Sequence, residues 1–145
     1  MEIGQFKVTV PKIQEWNSTP YSNSNSSAPL PETPSTDNFY TNENGSQMIF
    51  YLTPGNHDRM WADIDLFSKC ESSSQWQQFL SRTYVQFGQY RALRVFTTTG
   101  PDIFQAQYFF EVDTTTLLAA VCTFGNDESV SETLFDDLFS GFHIE

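Results

Sequence analysis

Residues 102–124 have the sequence DIFQAQYFFEVDTTTLLAAVCTF, which contains the clearest structural pattern in the chain. From Asp102 to Val112 the side chains alternate, which predicts a strand because successive strand residues point to opposite sides. Its apolar face carries Phe104, Ala106, Tyr108, Phe110 and Val112, and its polar face carries Gln105, Gln107 and Glu111. Thr116 to Phe124 is apolar on both faces, which predicts a central strand covered on both sides. The short connection between them, Asp113-Thr114-Thr115, makes the two strands an antiparallel hairpin.

The preceding sequence predicts four more strands, which gives about six in all. They are residues 5–10, Met48 to Leu52, Arg59 to Phe67 and Arg91 to Thr99. In the first of them Phe6, Val8 and Val10 point inward, and Pro11 ends the strand. Thr53-Pro54-Gly55-Asn56 has the composition of a turn. The strand from Arg59 to Phe67 is therefore predicted to be the second arm of a hairpin.

This predicted strand carries the candidate binding residues. A period of two places Met60, Ala62, Ile64 and Leu66 on one face, and Trp61, Asp63, Asp65 and Phe67 on the other. If the helices leave the second face open, it forms an apolar and acidic groove that suits an apolar or basic polypeptide segment. The alternative is a structural role, in which a helix covers Trp61 and Phe67 and the aspartates are solvated.

Two amphipathic helices are predicted. The first follows the capping residues Ser72, Ser73 and Ser74 and ends at Gly88, a residue typical of helix C-termini. Its apolar stripe comprises Trp76, Phe79, Leu80, Thr83, Tyr84 and Phe87. The second begins at a capping box, Ser129 with Glu132, and its stripe comprises Val130, Leu134, Leu138 and Phe142. The predicted fold class is therefore α+β, with a mostly antiparallel sheet and two packed helices.

A long polar stretch, residues 17–47, interrupts this pattern. Asn, Ser, Thr and Pro dominate it, and Pro20, Pro29, Pro31 and Pro34 oppose regular structure. A chain of 145 residues suffices for one domain with a real core, but not comfortably for two. We therefore predict a single domain, residues 1–145, in which the segment 17–47 is a flexible loop or becomes ordered on a partner.

Two short sequences near the ends of the chain carry a family resemblance. They are Phe6-Lys7-Val8-Thr9-Val10-Pro11 with Trp16, and Leu138-Phe139-Ser140-Gly141-Phe142-His143-Ile144. With the order of the predicted elements, they resemble the Mog1/PsbP-like fold and its small bacterial members of the DcrB type (DUF1795-like). The resemblance implies an α/β/α sandwich around an antiparallel sheet and a non-enzymatic role. Proteins of this fold serve as photosystem subunits, GTPase-binding factors, lipoproteins and chaperones, so the fold does not select one function. The polar stretch 17–47 departs from the family pattern.

The composition restricts the class of partner. Seven Lys and Arg residues face 18 Asp and Glu residues, which gives a formal net charge of -11. A field of this sign disfavours nucleic acid and anionic lipid, and it favours a basic protein or peptide. No apolar run is long enough for a membrane span, and the N-terminus lacks the pattern of a secretory signal. The expected location is therefore cytoplasmic, or periplasmic and envelope-anchored if a signal has been removed.

Few residues suit catalysis or cofactor binding. The chain has two histidines, His57 and His143, and two cysteines, Cys70 and Cys122, too few for a zinc site. Phosphate-binding glycine motifs are absent from the sequence. We therefore expect no catalytic residue, no metal and no cofactor. Asp63 and Asp65 would lie about 7 Å apart on a strand, but a solvated face explains them as well as an acid–base pair does.

These observations favour a non-enzymatic accessory protein, such as a bacterial chaperone, immunity factor or assembly factor. It would bind another protein, or an apolar or basic polypeptide segment, through Trp61, Asp63, Asp65 and Phe67. A homodimer is compatible with the sequence. One alternative is an envelope lipoprotein or extracytoplasmic subunit of the PsbP type. A more remote alternative is a hydrolase that uses His57.

Overall fold

The computed structural model describes residues 1–18, 39–69, 78–98, 102–125 and 131–145. Within these ranges the chain forms ten strands and one α-helix. The strands are β1 (Glu2–Ile3), β2 (Phe6–Thr9), β3 (Asn17–Ser18), β4 (Phe39–Thr41), β5 (Gln47–Pro54), β6 (Gln78–Phe87), β7 (Tyr90–Thr98), β8 (Ile103–Asp113), β9 (Thr116–Gly125) and β10 (His143–Ile144). The helix α1 is His57–Lys69, and 3₁₀ helices cover Pro11–Glu15 and Asp136–Phe139.

Seven strands form one antiparallel sheet in the order β3-β4-β5-β9-β8-β7-β6, and β1, β2 and β10 form a small separate sheet. The predicted hairpin is confirmed: β8 pairs with β9 antiparallel, and Phe110 lies opposite Leu118. The pairing shifts between Glu111 and Asp113, which is a bulge beside the turn. The mostly antiparallel α+β class is thus confirmed. The predicted numbers of elements are not matched, because about six strands and two helices were predicted and the described residues form ten strands and one α-helix.

The two faces of the large sheet are covered by different parts of the chain. On one face, Tyr108, Phe110, Leu118 and other core residues pack against the terminal segments, which include Val8 and Phe139. On the opposite face, α1 packs over a second buried cluster. This cluster comprises Ile64, Leu93, Val95, Phe109, Leu117 and Ala119. The molecule therefore has three layers, and β9 is apolar on both faces because both faces are buried.

The predicted strand from Arg59 to Phe67 is wrong, because these residues belong to α1. Asn56 caps the helix: its Oδ1 atom accepts a hydrogen bond from the Arg59 N–H at 2.9 Å. Met60, Trp61 and Ile64, which pack towards the sheet, have helical spacing. From His57 to Lys69 only Ile64 is β-branched, so local propensity favours a helix over a strand. The sequence Thr53-Pro54-Gly55-Asn56 consequently connects β5 to a helix and not to a second strand.

The predicted helix from Trp76 to Phe87 is also wrong where the structure describes it. Residues Gln78–Phe87 form β6, which pairs antiparallel with β7. Spacings of three and four residues suggested a helix, but half of these ten residues are aromatic or β-branched and favour strands. Gly88 has a φ of 61° in the two-residue turn between β6 and β7. A glycine of this conformation ends helices and closes hairpins, so it did not distinguish the two.

The predicted C-terminal helix is replaced by turns and a 3₁₀ helix. Ser129 and Val130 lie outside the described residues, and residues 132–135 form turns ahead of Asp136–Phe139. Leu134 of the predicted stripe is 40% exposed, whereas Leu138 and Phe142 are buried, together with Phe135 and Phe139. Their spacing of three residues, 135 to 138 and 139 to 142, suits the three-residue turn of a 3₁₀ helix. Gly141, with a φ of 82°, then redirects the chain into β10.

The polar stretch 17–47 is structured at its two ends. β3 pairs with β4, and β4 pairs with β5, so this stretch supplies an edge of the large sheet. Residues 19–38 lie outside the described residues. The long-loop prediction therefore needs correction at Asn17–Ser18, Phe39–Thr41 and Gln47, where backbone pairing forms strands that side-chain composition did not reveal.

A buried polar cluster holds the C-terminal segment on the sheet. Arg94, 5% exposed, forms ion pairs with Asp136 and Glu132 across the core. The Tyr108 hydroxyl donates a hydrogen bond to Asp136 Oδ1 at 2.6 Å. Burial, followed by this hydrogen bond, raises the pKa of Tyr108 far above its usual range. These partners offset part of the cost of burying the Arg94 guanidinium, whose Nε atom makes no hydrogen bond with the described residues.

Cys122 gives a direct test of this packing. It lies fully buried between the sheet and the terminal segments, and burial raises the pKa of its thiol. Because only the thiolate reacts, a Cys70→Ser variant is expected not to react with Ellman's reagent while folded, and to react fully in guanidinium. The Cys122→Ser variant serves as the control for the other thiol. Rapid reaction of native Cys122 would contradict the assigned packing.

Candidate functional site: a cleft between helix α1 and the sheet

Helix α1 reaches the far edge of the sheet. It follows β5 and packs on the half of the sheet that contains β8, β7 and β6, because its first residue, His57, contacts both Phe109 on β8 and Tyr84 on β6, the last strand of the sheet. Of its side chains, Trp61 and Asp65 face β6, and Met60 and Ile64 face the sheet. One turn of α1 therefore supplies both the side chains that hold the helix on β6 and side chains that line the cleft described below.

A stack of four side chains fixes α1 against β6 and β7. The Trp61 ring lies parallel to the Tyr84 ring, with centroids 5.3 Å apart. The Arg82 guanidinium lies 3.9 Å from the Trp61 centroid, and Arg91 lies 4.2 Å from the Tyr84 centroid. Cation–π contacts of this kind each contribute about 0.5–2 kcal/mol, depending on solvation. The stack therefore has cations at its ends and rings in its middle.

Arg82 also fixes the helix through hydrogen bonds. Its guanidinium donates to the Trp61 backbone oxygen at 2.8 Å and forms an ion pair with Asp65. Trp61 and Asp65 lie four residues apart, which places both on one side of a helix. A single arginine on the edge strand thus binds two positions of α1.

His57 fixes the start of α1 to β8. It is 3% exposed, and its Nε2 atom lies 2.8 Å from the Phe109 backbone oxygen. Since a carbonyl only accepts hydrogen bonds, Nε2 carries the proton. The Nδ1 atom, which makes no aligned hydrogen bond, lies 2.8 Å from Glu111 Oε1. Both nitrogens therefore face groups of the fold, but only Nε2 makes a hydrogen bond.

A cleft of about 210 Å³ opens between α1 and the sheet, beside this stack. Seven residues line it: Met60, Asp63 and Ile64 from α1, Val95 and Thr97 from β7, and Gln107 and Phe109 from β8. Val95 and Phe109 are buried and form part of its floor, whereas Asp63 is exposed. The cleft is thus apolar at its base, with a carboxylate on its helical side.

The structure separates the four predicted binding residues. Asp63 lines the cleft, while Trp61 and Asp65 contact β6 through Arg82 and Tyr84. Phe67 lies on α1, and its side chain is outside the described part of the chain. Because α1 is a helix, residues two apart do not share a face, which is why Asp63 and Asp65 do not form the pair that a strand would give.

Six cleft residues were missed from the sequence: Met60, Ile64, Val95, Thr97, Gln107 and Phe109. The strand prediction assigned Met60 and Ile64 to the opposite face from Asp63. Only the position of Gln107 on the polar face of β8 gave a signal, because an amide opposite an apolar face indicates partial exposure. The others become cleft residues through the crossing of α1 over the sheet.

The geometry at His57 bears on the hydrolase hypothesis. A general base must reach a substrate proton, yet both ring nitrogens of His57 face groups within the fold.

Among the described residues, no group of three His, Cys, Asp or Glu side chains could hold a metal ion. In the same residues, no helix is both long and apolar enough to traverse a bilayer.

The His57 contact has a measurable effect on stability. A His57→Ala variant loses a buried hydrogen bond and leaves an acceptor without its donor. We expect the free energy of unfolding in urea to fall by about 1–3 kcal/mol. Gln14→Ala, at an exposed position, is the control and is expected to change this free energy by less than about 0.5 kcal/mol. Equal losses in both variants would contradict the role assigned to His57.

The cation–π contact predicts energetic coupling between Trp61 and Arg82. A double-mutant cycle with Trp61→Leu and Arg82→Met, measured by urea unfolding, is expected to give a coupling of about 1 kcal/mol. Trp61→Leu removes the ring but keeps the backbone oxygen that Arg82 binds. The matched cycle pairs Trp61→Leu with Arg59→Met, on the outer side of α1, and should give a coupling near zero. Similar coupling in both cycles would argue against the stack.

No family model matches the sequence, and no curated protein matches it. The Mog1/PsbP-like and DcrB-type resemblance of Phe6 to Pro11 with Trp16 therefore stays a prediction. Neither comparison assigns the chain to a family.

Proposed function

We propose that this chain is a non-enzymatic accessory protein that binds a segment of a partner polypeptide in the cleft between α1 and the sheet. The observation that carries the proposal is the combination of an apolar floor, Val95 and Phe109, with the exposed carboxylate of Asp63. Such a site suits a segment that places an apolar side chain beside a Lys or Arg.

The size of the cleft supports a polypeptide ligand. Sites for drug-sized molecules enclose about 300–1,000 Å³. The cleft has about 210 Å³, which accommodates one or two side chains. A polypeptide inserts single side chains into such a space while its backbone stays outside. Affinity then comes from one buried side chain and the contacts around it.

The charges in and around the cleft favour a basic segment. Asp65 is paired with Arg82, whereas Asp63 forms no ion pair with any residue that the structure describes. The Asp63 carboxylate can therefore accept hydrogen bonds from a lysine or arginine of the partner. The net charge of -11 adds a long-range attraction that accelerates association with a cationic segment.

This proposal covers a chaperone, an immunity factor and an assembly factor, since each binds a partner polypeptide. The alternative is an envelope lipoprotein or extracytoplasmic subunit, and the cleft does not distinguish it from these. The hydrolase alternative is not supported, because His57 lies inside the fold.

Peptide selection tests the proposal with a defined probe. Nine-residue peptides displayed on phage and selected on the full chain are expected to converge on a Lys or Arg next to an apolar residue. The selected peptide is then synthesised, and its Kd is measured by fluorescence anisotropy. Enrichment of acidic peptides, or no enrichment at all, would count against the proposal.

Asp63→Asn is expected to weaken binding of the selected peptide about 10-fold or more, because a charge-assisted hydrogen bond is lost. Asp58→Asn removes the same charge from an exposed position on the same helix and should change Kd less than about 2-fold. Val95→Ala tests the apolar floor and should also weaken binding. Equal effects of Asp63→Asn and Asp58→Asn would show attraction by net charge alone and would exclude the cleft as the site.

A further inference from the structure

Strand β6 is a long edge strand of the sheet that the described residues form. It lies last in the sheet order and, among the described strands, pairs only with β7. Its ten residues extend over about 33 Å at the usual rise of a strand. The strand at the opposite edge, β3, has only two residues. Short edge strands limit pairing with other chains, and β6 does not share that protection.

The sequence of β6 lacks the residues that usually block an edge. Gln78–Phe87 contains no Pro, Lys, Asp or Glu. Its one charged residue, Arg82, is directed to α1, where it binds Asp65 and Trp61. The register shifts between Phe79 and Ser81, which makes Leu80 a bulged residue with 43% exposure. The bulge leaves a regular pairing segment from Ser81 to Phe87.

We propose that β6 pairs with β6 of a second copy of this chain, antiparallel and across a two-fold axis, so that the two sheets become continuous. The proposal concerns a different surface from the cleft and does not depend on the peptide site.

The charge distribution supports a second copy as the occupant. Two chains of net charge -11 repel, yet β6 itself carries no carboxylate. Among the described residues, two carboxylates contact its side chains: Asp65 pairs with Arg82, and Glu132 accepts a hydrogen bond from the Ser81 hydroxyl. A two-fold axis at Tyr84, the middle of the regular segment, places Arg82 opposite Gln86 and Thr83 opposite Val85 of the other copy. No two like charges then face each other, which cross-strand pairing requires. An axis normal to the sheet also keeps α1 of both copies on one face.

The pairing segment of seven residues predicts a weak dimer. It is smaller than the interfaces of stable complexes, so we expect association only at about 100 µM or above. Sedimentation equilibrium of the full chain should then show twice the 16.6 kDa mass of the monomer. Raising the ionic strength from about 0.01 M to 0.15 M should increase the dimer fraction, because salt screens the repulsion. A chain that stays monomeric under these conditions would overturn the proposal.

Charge substitutions test the register. Thr83→Lys with Val85→Lys puts lysines opposite each other on both sides of the axis, and Thr83→Glu with Val85→Glu does the same with glutamates. Each variant alone should be monomeric, and an equimolar mixture should form a heterodimer. The control, Gln14→Lys with Thr114→Lys, adds the same charge at exposed positions away from β6 and should dimerise at least as well as the unmodified chain.

Two results would reject the β6 interface: dimers of the doubly lysine-substituted variant, or folded variants that fail to associate when mixed. Circular dichroism establishes whether each variant is folded. If the variants unfold, amide hydrogen exchange of the unmodified chain gives the answer, because amides within Ser81 to Phe87 should gain protection as the protein concentration rises. Protection that does not depend on concentration would show that β6 does not pair with a second copy.

Discussion

The hairpin of β8 and β9 has apolar side chains on both of its faces, and neither face can remain in water. Tyr108, Phe110 and Leu118 are buried on one side, and Phe109 and Leu117 on the other. Burial of each large side chain contributes about 1.5–3 kcal/mol, so a structure that covered only one face would lose a large part of its stability. The three-layer arrangement follows from this requirement. The terminal segments cover one face, and α1 covers the other.

The two covering layers are held by different physical means. The terminal segments pack mainly through aromatic rings, such as Phe110 stacked on Phe142 with centroids 3.9 Å apart. They also contribute Asp136, which binds the buried Arg94 and Tyr108. Helix α1 has fewer buried residues and is positioned by Arg82, the Trp61–Tyr84 stack and His57. These contacts lie along one side and at one end of α1. The side of the helix that carries Met60 and Asp63 lacks them and borders the cleft.

Several charged, titratable or aromatic side chains thus stabilise the fold through contacts within it. His57, Trp61 and Asp65 fix α1, and Arg94 fixes the C-terminal segment. The groups available to a partner are the carboxylate of Asp63, the apolar base of the cleft and the backbone of β6. This division favours recognition of polypeptides, since apolar insertion, one charge and strand pairing are the means by which peptides are bound.

Local sequence patterns were sufficient to predict the strands β2, β5, β7, β8 and β9, the β8–β9 hairpin, the α+β class and most of the aromatic core. Alternation and apolar runs are local signals, and a strand buried on both faces has few other interpretations. The segments Arg59 to Phe67 and Trp76 to Phe87 were assigned the wrong type because each fits two periods. For the first, Met60, Trp61 and Ile64 support a helix while alternate residues support a strand. For the second, the spacing of aromatic residues suits a helix while their type suits a strand. Long-range contacts select one structure for each segment: pairing with β7 satisfies the backbone of β6, and the second sheet face requires a helix to cover it. They also decide the site, because Asp63 on α1 meets Val95 and Gln107 through a crossing of distant segments that no local sequence encodes.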